Sequence, residues 1–148
     1  MRRLDCGEFR IAVVGMEKAG KSTFVNAWLG CDLLPAKTER CTFTTTQIYS
    51  VNQESEQRLE TEPKTPEAFA QYQKDLHAQR ESADTDAKKN AEKDLAVIAT
   101  HETTLREVIA EGTRTIRFSR LDDIKADLDK YVADQRYAHA MHEARLHT

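Results

Sequence analysis

Gly15-Met16-Glu17-Lys18-Ala19-Gly20-Lys21-Ser22 is the stretch that decides how this chain is read. It fits G-x-x-x-x-G-K-[ST], the pattern of a phosphate-binding loop. Each fixed position has a physical reason. Gly15 and Gly20 let the backbone curl, so that the N–H groups of the loop through Met16, Glu17, Lys18 and Ala19 point inward at phosphate oxygens. Lys21 brings a compact positive charge to the β- and γ-phosphates. The Ser22 hydroxyl is suited to ligating Mg²⁺. A helix that starts at Ser22-Thr23 adds the positive end of its dipole. The motif does not choose a base, so it admits ATP as well as GTP.

The flanks supply the context that the motif requires. Phe9-Arg10-Ile11-Ala12-Val13-Val14 is a near-continuous apolar run. It predicts a buried parallel strand. Ser22 to Leu29 is compatible with a helix, and Gly30 stands where such a helix would close. Strand, glycine-rich loop and helix in that order make a P-loop unit.

From Val14 through Gly30, then Asp32-Leu33-Leu34-Pro35 and Arg40-Cys41-Thr42, the chain resembles the start of the GTPase domain of bacterial dynamin-like proteins. The likeness is close over residues 9 to 50 and looser beyond. It implies an α/β fold: an incomplete P-loop NTPase (GTPase-like) domain with a long helical insertion after switch I. It also implies GTP or GDP and Mg²⁺ as cofactors. Thr42 is then the switch-one threonine that closes over the γ-phosphate and completes the Mg²⁺ shell, with Thr44, Thr45 and Thr46 as competitors. Many relatives carry a polar Ser or Asn where this chain has Lys18, and there that residue helps neutralise charge between the phosphates. Lys18 could bring a positive charge to the same place, as an arginine finger does. Under this resemblance Lys18, Lys21 and Thr42 are the catalytic candidates, and Ser22 and Thr42 the metal ligands.

Composition narrows the field. The 148 residues are enough for one ordinary core. Residues 1–50 carry seven Lys/Arg and five Asp/Glu, a net of 7 − 5 = +2; residues 51–148 carry fifteen and twenty, a net of 15 − 20 = −5. A nucleic-acid binder should show a basic face, and this chain predicts none. An acidic helical region also argues against a membrane-surface helix. Cys6, Cys31 and Cys41 are odd in number and lack zinc-site spacing. They point to a reducing, cytoplasmic setting. The expected partners are a guanine nucleotide and a second copy of the chain, with membrane reached only through further sequence.

The chain divides by composition into 1–51, the P-loop unit with its switch, and 52–148, an acidic helical region with a short strand. Cys41 to Val51 is rich in β-branched residues and predicts a switch loop running into a strand. Asn52 to Lys64 is polar and without period, so it reads as a linker. Thr65 can cap a helix with Pro66 at its first position. Apolar or small residues then recur at Phe69, Tyr72, Leu76, Ala83, Ala87, Ala91, Leu95, Ile98, Leu105 and Val108. That spacing predicts one long helix, or two joined near Ser82 to Asp86, ending at Gly112. Its thin seam could pack on itself or receive a coiled-coil partner. An ion pair from Asp84 to Lys88 fits the helix. Thr113 to Phe118 alternates as a strand. Ser119 is placed to cap a helix whose buried side is Leu121, Ile124, Leu128 and Tyr131 or Val132. Tyr137 to Ala144 reads as further helix, and Arg145 to Thr148 as the beginning of a strand. His139 and His142 could share a helix face, though surface histidines are the default.

Two motifs of a working GTPase are not found. D-x-x-G, whose aspartate holds Mg²⁺ through water, does not occur after the switch. The guanine-reading [NT]-K-x-D has only Ile124-Lys125-Ala126-Asp127 as a near match, which reads as ordinary helix. The chain therefore reads as the N-terminal part of a dynamin-like GTPase, of marginal stability alone because strand one would keep an open edge. Three functions fit: a GTP-binding hydrolase when intact, a helical protein-interaction module, or a non-functional GTPase fragment.

Overall fold

The computed structural model describes residues 11–15, 19–34 and 44–148. Helix α1 spans Lys21–Leu29. It starts at Gly20, whose φ of 80° is left-handed, and closes at Gly30, with φ 71°. The Gly30 and Cys31 N–H groups donate to Ala27 and Asn26 carbonyls at 3.3 and 3.2 Å. This left-handed closure satisfies the last carbonyls of the helix. Of the strand expected before the loop over residues 9–14, the described part forms none, and Phe9 and Arg10 lie outside the described residues. Residues 11–15 carry no strand, and Ile11 and Val14 are 64% and 86% exposed. Apolar propensity alone does not make a strand, which needs a neighbour to complete its hydrogen-bond ladder. The sheet of the described residues does not extend to this run.

That sheet has the order β1-β4-β2-β3, with β1 Thr45–Tyr49, β2 Arg58–Pro63, β3 Arg114–Arg117 and β4 Met141–His147. The β1–β4 pair is parallel, with Thr45 opposite Glu143. The β4–β2 and β2–β3 pairs are antiparallel. Strand β2 replaces the expected linker at 52–64. Its alternation is real but is carried by Leu59 and Thr61, both buried, between charged residues. Those charged residues lie on the opposite face and pair both along a strand and across to its neighbour. Arg58 Nε meets Glu60 at 2.7 Å, Arg145 reaches Glu60 at 3.4 Å and Glu143 at 2.5 Å, and Arg145 also pairs with Glu62. The hydrogen bond from Arg58 holds the Glu60 carboxyl below the usual carboxylate range, assisted by His147 and opposed by burial.

Helices α2 Pro66–Arg80, α3 Thr85–Thr100 and α4 Glu102–Glu111 follow. Thr65 caps α2 by accepting from Ala68 N at 3.1 Å, with Pro66 at the first position. The expected break near 82–86 is present. Asp84 caps α3 by accepting from Asp86 N at 3.0 Å, and this is its observed role in place of an ion pair with Lys88. A second break at His101, where φ is −113°, separates α3 from α4. The seam closes on itself: Phe69, Leu76, Ala91, Ile98, Leu105 and Ala140 form one buried cluster. Gly112 closes α4.

After β3 the structure departs from the expected cap. Arg120, not Ser119, starts the next turn, and its N–H donates to Asp123 Oδ2 at 3.2 Å. A 3-10 turn (Leu121–Ile124), α5 (Lys125–Leu128) and a π turn (Asp129–Ala133) turn Ile124, Leu128, Tyr131 and Val132 inward. Helix α6 runs only from Gln135 to Ala138, and β4 starts at Met141, so 141–144 is strand where helix was expected. A central strand with partners on both sides gains two ladders, which outweighs the high helix propensity of Ala144 and Arg145. The main core lies on one face of the sheet: Leu59, Ala144 and Leu146 pack with Leu33, Phe118, Ile124, Leu128 and Val132.

Candidate phosphate-binding site

Of the residues singled out in the sequence around the loop and switch, Gly15, Ala19, Gly20, Lys21, Ser22 and Thr23 are described; Met16, Glu17, Lys18, Pro35 and Thr42 lie outside the described residues. Lys21 Nζ donates to the Gly15 carbonyl at 2.8 Å. The ammonium therefore reaches from the first turn of α1 back across the loop to its first glycine. Gly20 needs its glycine for conformation rather than room, since an added Cβ would meet nothing within 4 Å. At Gly15 an added Cβ would lie 3.4 Å from Ala19 Cβ and 3.7 Å from Lys21 Cγ.

The chemistry of this end of α1 suits an anion. The capping position is glycine, which has no side chain to offer, and the first turn holds no acidic residue. Backbone donors, helix dipole and Lys21 then act together on negative charge. Ser22 stands half-buried one residue on, where its hydroxyl could hold a divalent cation bridging phosphates. The residues present thus fit a Mg²⁺-nucleotide.

The other end of α1 is fixed by a residue that the motif does not single out. Asn26 is the buried residue of this helix. Its Oδ1 accepts from Leu33 N at 3.2 Å and Leu34 N at 2.7 Å, and its Nδ2 donates to the Leu34 carbonyl at 2.7 Å and to Asp32 Oδ1 at 3.1 Å. Asp32 also meets Lys125 Nζ at 3.1 Å. Leu33 is 2% exposed and belongs to the main core. The signal in the sequence was an asparagine inside an otherwise apolar helical run. Asparagine is a poor helix former, so its side chain has other work there.

The competitors for the switch threonine separate. Thr44 is buried and its hydroxyl donates to the Tyr131 carbonyl at 3.1 Å, a structural contact that joins β1 to the π turn. Thr45 is exposed on β1, and Thr46 lies half-buried with its hydroxyl 3.5 Å from the Thr44 carbonyl. His139 is buried, contrary to the surface default, with Nδ1 2.9 Å from the Tyr72 hydroxyl and Nε2 3.8 Å from Asp94 Oδ1. His142 lies on β4, so the two histidines share no helix face. Among the described residues no group of three or more His, Cys, Asp or Glu side chains could hold a metal. Beside His139, Lys64 Nζ donates to the carbonyls of His139 and Met141 at 2.9 and 2.6 Å. Burial pushes its ammonium down to about 8. The helical spacing that revealed Tyr72 gave no sign of this polar knot, which long-range packing assembles.

Residues 11–128 match the model of the dynamin family. A bacterial dynamin-like protein of Nostoc punctiforme (strain ATCC 29133 / PCC 73102) is 47% identical over 47 residues, which cover 32% of this chain and 7% of that protein. The match therefore spans a small part of that relative's length. Among the described residues no helix is long and apolar enough to cross a membrane.

Proposed function

The chain belongs to the dynamin family, and on that premise we propose that residues 15–23 hold the phosphates of a guanine nucleotide with Mg²⁺. The observation that carries this is the placement of Lys21: first in α1, directly after left-handed Gly20, with its ammonium turned back onto Gly15. That arrangement concentrates donors on one small volume. Backbone N–H groups from the loop to Thr23 would bind phosphate oxygens. Lys21 would exchange its carbonyl contact for the β- and γ-phosphates. Ser22 would ligate Mg²⁺, with Thr42 as its partner ligand. Mg²⁺, when bound, supplies charge neutralisation across the phosphates. Lys18 would add positive charge at the same place.

Hydrolysis belongs to the intact protein in this reading, by positioning of water in line with the γ-phosphate. The acidic helices α2–α4 are the insertion that follows the switch, and self-association accompanies turnover. The setting in this reading is cytoplasmic. Guanine rather than adenine is supported by family membership, since the loop is indifferent to the base.

Calorimetric titration with GTP, GDP and ATP in Mg²⁺ tests the proposal, with Lys21→Ala as control. Binding of guanine nucleotides that Lys21→Ala abolishes is the expected result. A folded chain that binds none of the three overturns the reading in favour of a helical interaction module.

A further inference from the structure

Helix α1 carries the phosphate-binding turn at one end, and at the other the half-buried Leu29 packs against the main core. Phe24 and Trp28, one turn apart, are 59% and 62% exposed. Asn26 is the buried residue of the helix, and it is an amide. All four of its hydrogen bonds go to the segment Asp32 to Leu34. That segment is itself anchored, through Leu33 in the main core and through the Asp32–Lys125 pair to α5. A hydrogen-bonded peg fixes rotation as well as position, which a greasy contact does not.

We infer that Asn26 is a positioning residue for the phosphate site: it locks α1 in azimuth and register against the sheet core, and so fixes where the donors of Gly20 to Thr23 point. The inference rests on the phosphate-site reading above and deepens it. Without the amide, α1 keeps its own backbone ladder, both left-handed glycine ends and the half-buried Leu29 contact, but loses the buried side chain that ties it to residues 32–34. The donors at its N-terminus would then sample several directions, and a nucleotide would have to select among them.

The test uses the 148-residue chain with Asn26→Ala. Its control is Ile98→Val, a volume change in the separate helical cluster. Both are titrated with Mg²⁺-GDP and followed by thermal unfolding, and amide hydrogen exchange is read in α1 and α3. Asn26→Ala should weaken GDP by about tenfold and speed exchange in α1, leaving α3 protected. Ile98→Val should lower the unfolding midpoint and leave GDP affinity where it was. Should Asn26→Ala fail to fold, Asn26→Asp keeps the acceptor for Leu33 and Leu34 and loses the donor to the Leu34 carbonyl; a loss of about threefold is then expected. Wild type that binds GDP, beside an Asn26 variant that binds equally well, overturns the inference and leaves the phosphate site standing. Wild type that binds no nucleotide overturns the phosphate site, and the inference with it.

Discussion

Replacing Leu59 with alanine probes the part of the fold that the sequence hides best. Leu59 is fully buried, lies opposite Ile116 on β3 and Leu146 on β4, and packs in the main core. Leucine to alanine removes three carbons, which at about 0.8 kcal/mol each is roughly 2.4 kcal/mol of transfer free energy. A central strand flanked by two others cannot collapse freely into the gap, so a cavity term adds to this and brings the total to about 3–4 kcal/mol. In a chain of this size each kcal/mol lowers the midpoint by about 2–4 °C, so a fall of roughly 10 °C is expected. Urea unfolding followed by circular dichroism gives the free energy, and a thermal scan gives the midpoint. A linker residue would change stability by less than about 0.5 kcal/mol. That small value would refute the assignment of 58–63 to the middle of the sheet.

Two further outcomes follow from the geometry. The Lys64 ammonium is pushed down from its ordinary 10.5 to about 8 by burial. The unfolded chain therefore holds more protons than the folded one between those values, and stability relative to Lys64→Met should rise as pH climbs from 8 toward 10.5. The gain is on the order of 2 kcal/mol once the two accepting carbonyls are set against desolvation; a flat difference in denaturant midpoints across that window would contradict it. Thr65→Ala removes the acceptor for Ala68 N and should cost about 1 kcal/mol in the same urea assay, with Thr65→Ser close to wild type.

Local chemistry showed through the sequence wherever a residue acts on its immediate neighbours. Gly20 and Gly30 mark both ends of α1, Thr65-Pro66 opens α2, and Gly112 closes α4, because caps are written within a few residues of what they cap. Pairing at a distance did not show. Strand β4 lies beside β1 and β2, more than seventy-five residues back along the chain, and its Ala144 and Arg145 favour helix when read locally. Strand β2 was masked by its own charge ladder, in which Arg58 meets Glu60 on the same strand while Glu60 and Glu62 meet Arg145 on β4. The run at Ile11 to Val14 erred the other way: it has strand propensity without a partner in the described sheet. Around the candidate site, the motif singled out Gly15, Gly20, Lys21 and Ser22. Asn26 escaped it because its four contacts lie in a loop that no pattern links to the helix.

The most direct test of the account is a titration of isotopically labelled chain with Mg²⁺-GDP, followed amide by amide in nuclear magnetic resonance spectra. A nucleotide held by the glycine loop and the start of α1 should shift the amides of Gly15 and Gly20 to Thr23 most, and Lys21→Ala should abolish those shifts. Spectra in which those amides stay still, or in which the moving signals lie in α2 and α3, would contradict the claim that this loop is the site.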